Sequence, residues 1–361
     1  MTFTVTITPS GKSVTVDGET HILEAALKQG VVLPYGCKNG ACGSCKARIV
    51  DGTVVQDPHQ PSALTSEEAT RGLALLCCAR AASDLTVEAR VVSAVGEIPI
   101  RKMPCRVASI ERVAPDVAVL RLQLPASERL QYLAGQYIEL ILRDGTRRSY
   151  SMATAPGTIE GLELHLRHMP GGKFTDTVFG AAEPALKVRD ILRFEGPLGT
   201  FFLREDSVRP IVMIASGTGF APIKSIVERI RVLAAGKGFD RPVTLYWGGR
   251  RPHDLYMNAL CETWARELAG FRYVPVVSDA LPEDDWHGRT GFVHRAAMAD
   301  FPDMRELEVY ACGAPIVVDS SRLDFTAQCG LPADAFYADA FTTAADTAGP
   351  ATPPAVTTGH H

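Results

Sequence analysis

Residues 35–45 read Tyr35-Gly36-Cys37-Lys38-Asn39-Gly40-Ala41-Cys42-Gly43-Ser44-Cys45, which places three cysteines on one loop built almost wholly from small residues. A fourth cysteine, Cys77, follows 32 positions after Cys45. This C-x4-C-x2-C spacing with a distant fourth cysteine is typical of the plant-type [2Fe–2S] cluster. Small residues let backbone N–H groups approach a cluster that carries net negative charge. The sequence therefore predicts an electron carrier whose metal ligands are Cys37, Cys42, Cys45 and Cys77.

Two alternatives stay open at this loop. C-x2-C pairs also bind zinc, although zinc fingers usually carry two short pairs around a compact segment. Cys78 directly follows Cys77, so either of two adjacent thiols is available as the fourth ligand. The segment 75–85 resembles the ferredoxin pattern in which the ligand lies three residues before a basic residue, here Arg80. That resemblance selects Cys77 and leaves Cys78 as a small buried thiol.

Composition limits the class of protein. The chain has 361 residues, of which 46% are hydrophobic and 22% charged, and this length favours about three domains. A membrane helix needs about 20 consecutive apolar residues, and we expect no membrane association because no run approaches that length. The net charge of −4 without a basic run predicts no binding to nucleic acid. Nine cysteines without a secretory signal predict a cytoplasmic protein, and we expect a monomer.

The first 205 residues divide into two predicted domains and a linker. Over residues 1–95 the patterns predict a hairpin, a helix capped by Thr20 and ended by Gly30, the cysteine loop, and a last strand near residues 85–91. This arrangement resembles the β-grasp ferredoxin fold. Residues 96–104 lose periodicity and hold two prolines, which predicts a linker. Residues 105–205 carry short strands separated by Gly and Pro turns, as in a small antiparallel barrel.

From Pro210 onward the hydrophobic period changes. The run Ile211–Ala215 predicts a buried strand, and a helix is expected to start at Pro222 after a glycine-rich turn. Further strands and helices over residues 206–345 predict an α/β domain with a parallel sheet. Residues 346–361 are mainly Ala, Thr, Pro and Gly and predict a disordered tail.

The tetrapeptide Arg148-Ser149-Tyr150-Ser151 matches the R-x-Y-S signature of the ferredoxin–NADP reductase superfamily. The resemblance implies a six-stranded antiparallel β-barrel that binds FAD. It also implies that Tyr150 lies against the isoalloxazine ring, that Ser151 is a catalytic residue hydrogen-bonding near the flavin N5, and that Arg148 binds the phosphates. These roles suit the residue types, because arginine pairs well with phosphate and an aromatic ring buries one flavin face.

The segments His165-Leu166-Arg167 and Gly171-Gly172-Lys173-Phe174-Thr175 resemble the second flavin segment of this superfamily. The resemblance implies that the pyrophosphate is approached by five of these residues: Arg167, Gly171, Gly172, Lys173 and Thr175. We expect His165 and His168 to be ordinary surface histidines. Near the end of the chain, the resemblance implies that Phe341 shields the flavin, with core packing as the equal alternative.

The nicotinamide site is predicted at two strand ends. Gly217, Thr218 and Gly219 lie between a predicted strand and helix, where backbone N–H groups and the helix dipole can hold a pyrophosphate. The pair Cys312-Gly313 begins a C-G-x-P element, and the resemblance implies that Cys312 is a catalytic residue facing the nicotinamide C4. The alternative for Cys312 is a buried cysteine at a strand end.

The choice between NADH and NADPH depends on residues 247–255. Arg250 and Arg251 favour the 2′-phosphate of NADPH, whereas the carboxylate of Asp254 disfavours it. The pattern G-x-R-x-x-x-D-L resembles the NADH-using members of the superfamily. We therefore predict NADH, with NADPH as the alternative.

The order ferredoxin, flavin, nicotinamide resembles that of the oxygenase-type reductases. Within them, segments 133–148, 195–204 and 325–341 look similar to the CDP-6-deoxy-Δ3,4-glucoseen reductase-like group. The resemblance implies that electrons pass from NADH through FAD and the [2Fe–2S] cluster, one at a time, to a partner oxygenase, P450 or PMP-dependent dehydratase component. The alternative is direct reduction of a quinone or ferric chelate. Lys38, Lys46 and Arg48 are candidates to steer an acidic partner.

Overall fold

The computed structural model describes residues 1–92, 98–158, 161–342 and 355–358. Its internal contacts divide the chain into two compact units. One unit comprises Met1–Pro99 together with the described residues from Asp339 onward, and the other is Ile100–Ala338.

The first unit contains a mixed five-stranded sheet in the order β2-β1-β7-β3-β5, in which β1 and β7 are parallel. Its elements are β1 (Thr2–Thr8), β2 (Lys12–Asp17), α1 (Ile22–Lys28), β3 (Lys46–Asp51), β4 (Thr53–Gln56), α2 (Ser66–Thr70), β5 (Leu73–Leu75), β6 (Ala79–Ala81) and β7 (Leu85–Glu88). Alternate residues of β1, Val5 and Ile7, are fully buried, and α1 contributes Ile22 and Ala26 to the same core. The β-grasp prediction is confirmed.

The predicted cap of α1 is wrong. The helix begins at Ile22 with His21 at the N-cap position and without a side-chain cap. The Thr20 hydroxyl donates instead to Asp17 Oδ2 at 3.0 Å, because the turn after β2 brings that carboxylate within reach.

The barrel of the second unit has six antiparallel strands in the order β11-β10-β13-β8-β9-β12. Its elements are β8 (Arg101–Ala114), β9 (Val117–Gln123), β10 (Tyr137–Ile141), β11 (Arg147–Ser151), β12 (Leu162–Arg167), α3 (Thr175–Phe179) and β13 (Ile191–Leu198). An antiparallel bridge between Met152 and Leu164 adds a contact between its two end strands. The prediction of a six-stranded antiparallel barrel is confirmed.

The predicted linker differs from the structure at its C-terminal end. Residues 101–104 belong to β8, and residues 96–97 lie outside the described part of the chain. Met103 and Cys105 alternate into the barrel core with exposures of 3% and 2%, and this burial outweighs the turn signal of Pro104 between them.

A second six-stranded sheet has the order β17-β16-β15-β14-β18-β19, and its pairs β17–β16, β16–β15, β15–β14 and β14–β18 are parallel. Its elements are β14 (Ile211–Ser216), α4 (Phe220–Ala235), β15 (Val243–Gly249), α5 (Asn258–Glu267), β16 (Phe271–Val277), β17 (Arg289–Thr290), α6 (Val293–Asp300), β18 (Glu308–Gly313), α7 (Pro315–Cys329) and β19 (Phe336–Ala340). The α/β prediction is confirmed. Helix α4 begins two residues before the predicted Pro222, because the Gly217–Gly219 turn is a single 3-10 turn that continues directly into the helix.

The predicted disordered tail contains a strand. Residues Ala355–Thr358 form β20, which pairs antiparallel with β4 through Val356–Val55 and Thr357–Val54. Together with β6 these strands make a three-stranded sheet in the first unit. The unpaired edge of β4 explains the difference, because a short Val-Thr segment gains backbone hydrogen bonds there. The rest of the predicted tail, residues 346–354 and 359–361, lies outside the described residues.

Candidate functional site

The cysteine loop is held in shape by left-handed backbone positions. Gly40 has φ of +76°, and a side chain on it would begin 2.8 Å from the Cys78 Sγ and 3.0 Å from the His59 Cβ. Only glycine fits there, so residue 40 lets the loop close over the segment that carries Cys77 and Cys78. The backbone N–H of Cys37 points at the Cys42 Sγ at 3.4 Å, and the Ser44 hydroxyl lies 3.4 Å from the same sulfur.

The four predicted ligands meet as two pairs of thiols. A hydrogen bond from Cys37 lowers the pKa of Cys42 to about 6, and the pKa of Cys37 itself is raised. A hydrogen bond from Cys45 likewise lowers the pKa of Cys77 to about 4, and the pKa of Cys45 is raised. Thiolate is the form that binds iron, so this environment suits ligation.

This donor set fits a two-iron cluster better than the zinc alternative. A [2Fe–2S] cluster takes two thiolates on each iron, which matches the pairs Cys37–Cys42 and Cys45–Cys77. Within the described ranges, no three His, Cys, Asp or Glu side chains converge on one position for a single ion. Cys78 is buried, and its Sγ lies 3.6 Å from the Cys77 Sγ. The assignment of Cys77 as the fourth ligand stays a prediction, which its pairing with Cys45 favours.

The R-x-Y-S residues lie on β11 of the barrel. Arg148 and Tyr150 point to the same side of the strand and are half-buried, whereas Ser151 is buried. The Tyr150 ring centroid lies 5.8 Å from that of Phe174, and burial raises the pKa of Tyr150. An aromatic surface at this position is what the predicted contact with a flavin ring requires.

The second flavin segment connects β12 to α3 and is already hydrogen-bonded internally. The Thr175 hydroxyl donates to the Met169 carbonyl at 3.1 Å, and the Gly171 N–H donates to Asp176 Oδ2 at 3.0 Å. Lys173 pairs with Asp144 at 2.7 Å on the β10–β11 turn. The structure thus brings these residues onto one ordered loop, while their contact with a pyrophosphate stays a prediction. Gly172 lies on the same loop, where its N–H donates to the Met169 carbonyl at 2.8 Å.

Arg167 brings the flavin and nicotinamide segments together. Its Nε donates to Asp116 Oδ2 at 2.7 Å, and its Nη1 lies 3.5 Å from the position that a Cβ on Gly217 would take. A cleft of about 240 Å³ opens beside it, lined by Arg167, Asp116, Arg250, Arg251, His253 and Asp254 among others. The cleft therefore reaches from the predicted phosphate-binding arginine to the residues predicted to select the nucleotide.

The predicted nicotinamide residues converge at the carboxyl ends of β14 and β18. The Trp247 indole donates to the Gly217 carbonyl at 3.1 Å, and Thr218 is buried within the turn. Gly219 packs against the backbone of Cys312 and Gly313 so closely that a Cβ on it would lie 2.3 Å from the Cys312 carbonyl oxygen. Cys312 is fully buried at the end of β18, which is compatible with both of its predicted roles.

Phe341 directly follows β19 and is half-buried. Its shielding of the flavin stays a prediction.

Sequence reasoning missed the buried polar residues of this unit. His165, expected at the surface, is 4% exposed and bonds the Tyr256 hydroxyl at 2.8 Å and Glu163 Oε1 at 3.0 Å. Lys224 of α4 is 6% exposed and pairs with the same glutamate at 3.2 Å. Strand alternation places His165 opposite its neighbours Leu164 and Leu166, which normally indicates solvent. Only the packing of another element over that face could reveal the burial.

Comparison with known proteins identifies all three parts. The 2Fe-2S iron-sulfur cluster binding domain matches residues 5–82, the oxidoreductase FAD-binding domain residues 104–203, and the oxidoreductase NAD-binding domain residues 213–322. A CDP-6-deoxy-L-threo-D-glycero-4-hexulose-3-dehydrase reductase of Yersinia pseudotuberculosis is 42% identical over 94% of this chain and 99% of its own length. The chain belongs to the iron–sulfur flavoprotein reductases of the ferredoxin–NAD(P) reductase superfamily.

Other relatives of the reductase are also electron-transfer reductases. Reductase component 1 of a terephthalate 1,2-dioxygenase from a Comamonas species is 37% identical over 89% of this chain and 92% of its own length. The crystal structure of an Amycolatopsis cytochrome P450 reductase matches with a TM-score of 0.72 and 34% identity, over 94% of this chain and 99% of that one.

These comparisons confirm that the reductase is an NAD(P)H-dependent oxidoreductase with domains for a [2Fe–2S] cluster, FAD and a nicotinamide nucleotide. They also confirm that it is an electron-transfer reductase linked to a protein acceptor. In the part of the chain that the structure describes, every helix is too short or too polar to cross a membrane.

Proposed function

We propose that the reductase oxidises NADH and delivers the electrons singly to a partner dehydratase or oxygenase component. When bound, the flavin takes a hydride from NADH and the [2Fe–2S] cluster carries single electrons onward. The observation that carries this proposal is the complete three-domain order, matched over 94% of the chain at 42% identity by a dehydrase reductase. Relatives named as reductases of a dioxygenase and of a cytochrome P450 support an acceptor of protein type.

We assign different residues to the flavin, the dinucleotide and the cluster. Tyr150, which packs against the buried Phe174, offers an aromatic surface to the flavin, and Arg148 and Arg167 offer charge to its phosphates. The turn at Gly217–Gly219 offers backbone N–H groups to the dinucleotide at the start of α4. Among the four predicted ligands Cys37 is the one that is half-exposed, so a bound cluster would be most accessible to an electron acceptor on that side.

The structure gives little support to the prediction that Lys46 and Arg48 steer an acidic partner. Lys46 pairs with Glu68 at 2.6 Å, and Arg48 lies 3.6 Å from Glu88. Both positive charges are offset by a carboxylate at the surface, so they add little net field for a partner.

The preference for NADH rests on how the arginines of the cleft are engaged. The Asp254 carboxylate accepts the backbone N–H groups of Arg250 and Arg251 at 2.8 and 3.0 Å. The Arg251 guanidinium pairs with Asp284 at 2.9 Å, and this pairing lowers the pKa of Asp284. A 2′-phosphate would have to displace Asp284 and approach Asp254, so we propose that NADPH is the poorer substrate.

Two measurements test the proposal. First, purified protein with flavin and iron quantified is titrated anaerobically with NADH and then mixed with a dehydratase or oxygenase component. Bleaching of both chromophores, followed by electron transfer to the protein acceptor, is expected. Faster turnover with a quinone or ferric chelate than with any protein acceptor would favour the direct-reductase alternative.

Second, kcat/KM is compared for NADH and NADPH in the native protein and in two variants. Asp284→Ala should free Arg251 and raise kcat/KM for NADPH about tenfold, since a charged hydrogen bond contributes about 1.5–3 kcal/mol. Glu283→Ala removes a neighbouring carboxylate without a hydrogen bond to Arg251 and serves as the control. A native preference for NADPH would contradict the proposal.

The remaining expectations are also proposals. We propose a monomer in the cytoplasm, where reducing conditions suit nine cysteines that form no disulfide. Light scattering of the purified protein tests the oligomeric state, and fractionation of cells tests the compartment.

A further inference from the structure

A buried charged cluster connects the barrel to helix α4 and has no part in the roles assigned above. Its members are Glu163 on β12, at 4% exposure, and Lys224 on α4, at 6% exposure. Burying an ammonium group is costly unless it is paired and hydrogen-bonded, so a lysine at this depth needs several partners.

Lys224 has three such partners. Its Nζ donates to the Ala153 carbonyl at 3.1 Å, pairs with Glu163 Oε1 at 3.2 Å, and contacts Glu228 Oε1 one helical turn further on. On the Glu163 side, the Arg121 Nε donates to Oε2 at 3.1 Å. Burial raises the pKa of Glu163, but the His165 hydrogen bond and the Lys224 charge outweigh it and bring the pKa to about 2. Glu163 is therefore held as the carboxylate beside Lys224.

Two neighbours of Lys224 on α4 form hydrogen bonds with the backbone of the residues that follow Ala153. The Ser225 hydroxyl donates to the Thr154 carbonyl at 2.6 Å, and Glu228 Oε2 accepts the Ala155 N–H at 3.2 Å. Three consecutive residues, 153–155, are thus each hydrogen-bonded to one side chain of the helix. All three are buried, with at most 2% of their surface exposed.

Residues 153–155 and helix α4 each adjoin one of the two predicted cofactor sites, the flavin site and the nicotinamide site. Residues 153–155 follow the R-x-Y-S strand after a single intervening residue, so their position sets that of Tyr150 and Ser151. Helix α4 starts directly from the Gly217–Gly219 turn, so its position sets that of the dinucleotide. Hydride transfer needs the reacting atoms about 3–3.5 Å apart, and a misplacement of about 1 Å can cost about 100-fold in rate.

We propose that Lys224 is a positioning residue for hydride transfer, which fixes the nicotinamide-binding helix against the flavin-binding strand through Ala153, Glu163 and Glu228. This inference rests on the proposed NADH-dependent reduction of the flavin. In this role Lys224 acts through the backbone of residues 153–155 and the axis of α4.

The test is the limiting rate of flavin reduction by NADH in anaerobic stopped-flow, measured together with the NADH dissociation constant. Lys224→Met keeps the length of the side chain and removes its charge. We expect the limiting rate to fall about tenfold or more, with a much smaller change in NADH affinity and unchanged iron and flavin content. Lys224→Arg should recover part of the rate, because it restores the charge and the donors.

The matched control is Arg231→Met on the exposed face of the same helix, where Arg231 pairs with Glu267 at 3.1 Å. It should keep the native rate. If Lys224→Met does not fold, Glu228→Gln replaces it, since it removes one charge from the cluster and keeps a similar shape.

Native rates in Lys224→Met, or in Glu228→Gln where that variant is used, would overturn the inference. A parallel loss of NADH affinity and rate would also overturn it, because it would indicate general damage to the site. Failure of the proposed function is distinguished at once, because the native protein itself would then show no bleaching with NADH.

Discussion

The closest backbone approach at the nicotinamide site gives a sharp prediction for Gly219→Ala. Gly219 has φ of −57°, which any residue adopts, so an alanine there suffers no backbone strain. Its Cβ, however, would lie 2.3 Å from the Cys312 carbonyl oxygen, 2.5 Å from the Cys312 carbonyl carbon and 2.6 Å from the Gly313 Cα. All three atoms are backbone, so no side-chain rotation relieves the contact.

The magnitude follows from the size of the overlap. The closest contact falls about 1 Å short of ordinary van der Waals separation, so the turn and the end of β18 must move apart by a comparable distance. Overpacking of this kind costs about 1–3 kcal/mol, which lowers Tm by about 2–12 °C in a domain of this size. Because the turn begins α4 and holds the dinucleotide, the limiting rate of flavin reduction should fall about 100-fold.

The assay combines thermal unfolding with anaerobic stopped-flow reduction by NADH. Gly236→Ala is the control at the other end of the same helix, where φ is −83° and a Cβ would lie 3.5 Å from its nearest neighbour, the Leu233 carbonyl oxygen. The control should keep the native rate and be unchanged or up to about 1 kcal/mol more stable. A Gly219→Ala protein with native Tm and native rate would refute the packing argument.

Two further predictions concern the cysteines and the buried histidine. Cys77→Ser should lose most of the iron and the visible cluster bands while Cys78→Ser keeps both, and iron analysis showing the reverse pattern would assign Cys78 as the fourth ligand. Burial lowers the pKa of His165 and outweighs the opposing hydrogen bond to Glu163, so the unfolded state binds a proton more readily and the folded state loses stability as pH falls below about 6.5. His165→Asn should therefore give a flatter profile of Tm between pH 7.5 and 5, and profiles that run parallel for variant and native protein would contradict this.

Some of the site could be read directly from the chain, because its chemistry depends on residues close in sequence. Three of the four predicted ligand cysteines share one loop, and its glycines are local requirements of the backbone. The R-x-Y-S motif could be recognised by its resemblance to a known signature, and the place of the Gly217–Gly219 turn at a strand end follows from the hydrophobic period.

Errors arose where a local signal competed with packing. Pro104 suggested a linker, but burial of Met103 and Cys105 on alternate positions made it part of β8. The composition of the last residues suggested disorder, but the edge of β4 gave Ala355–Thr358 a partner. In both cases the deciding contact comes from an element distant in sequence.

By itself, the sequence determined the three-domain order and the reductase class, and it predicts the iron–sulfur ligands, because each depends on residue types in a recognisable order along the chain. Only the tertiary structure decided which polar groups are buried together. Lys224 and Glu163 are 61 positions apart and carry no motif, yet the packing of α4 on β12 makes them partners. Burial and pairing depend on which residues are close in space, and a sequence pattern does not show which residues distant along the chain become neighbours.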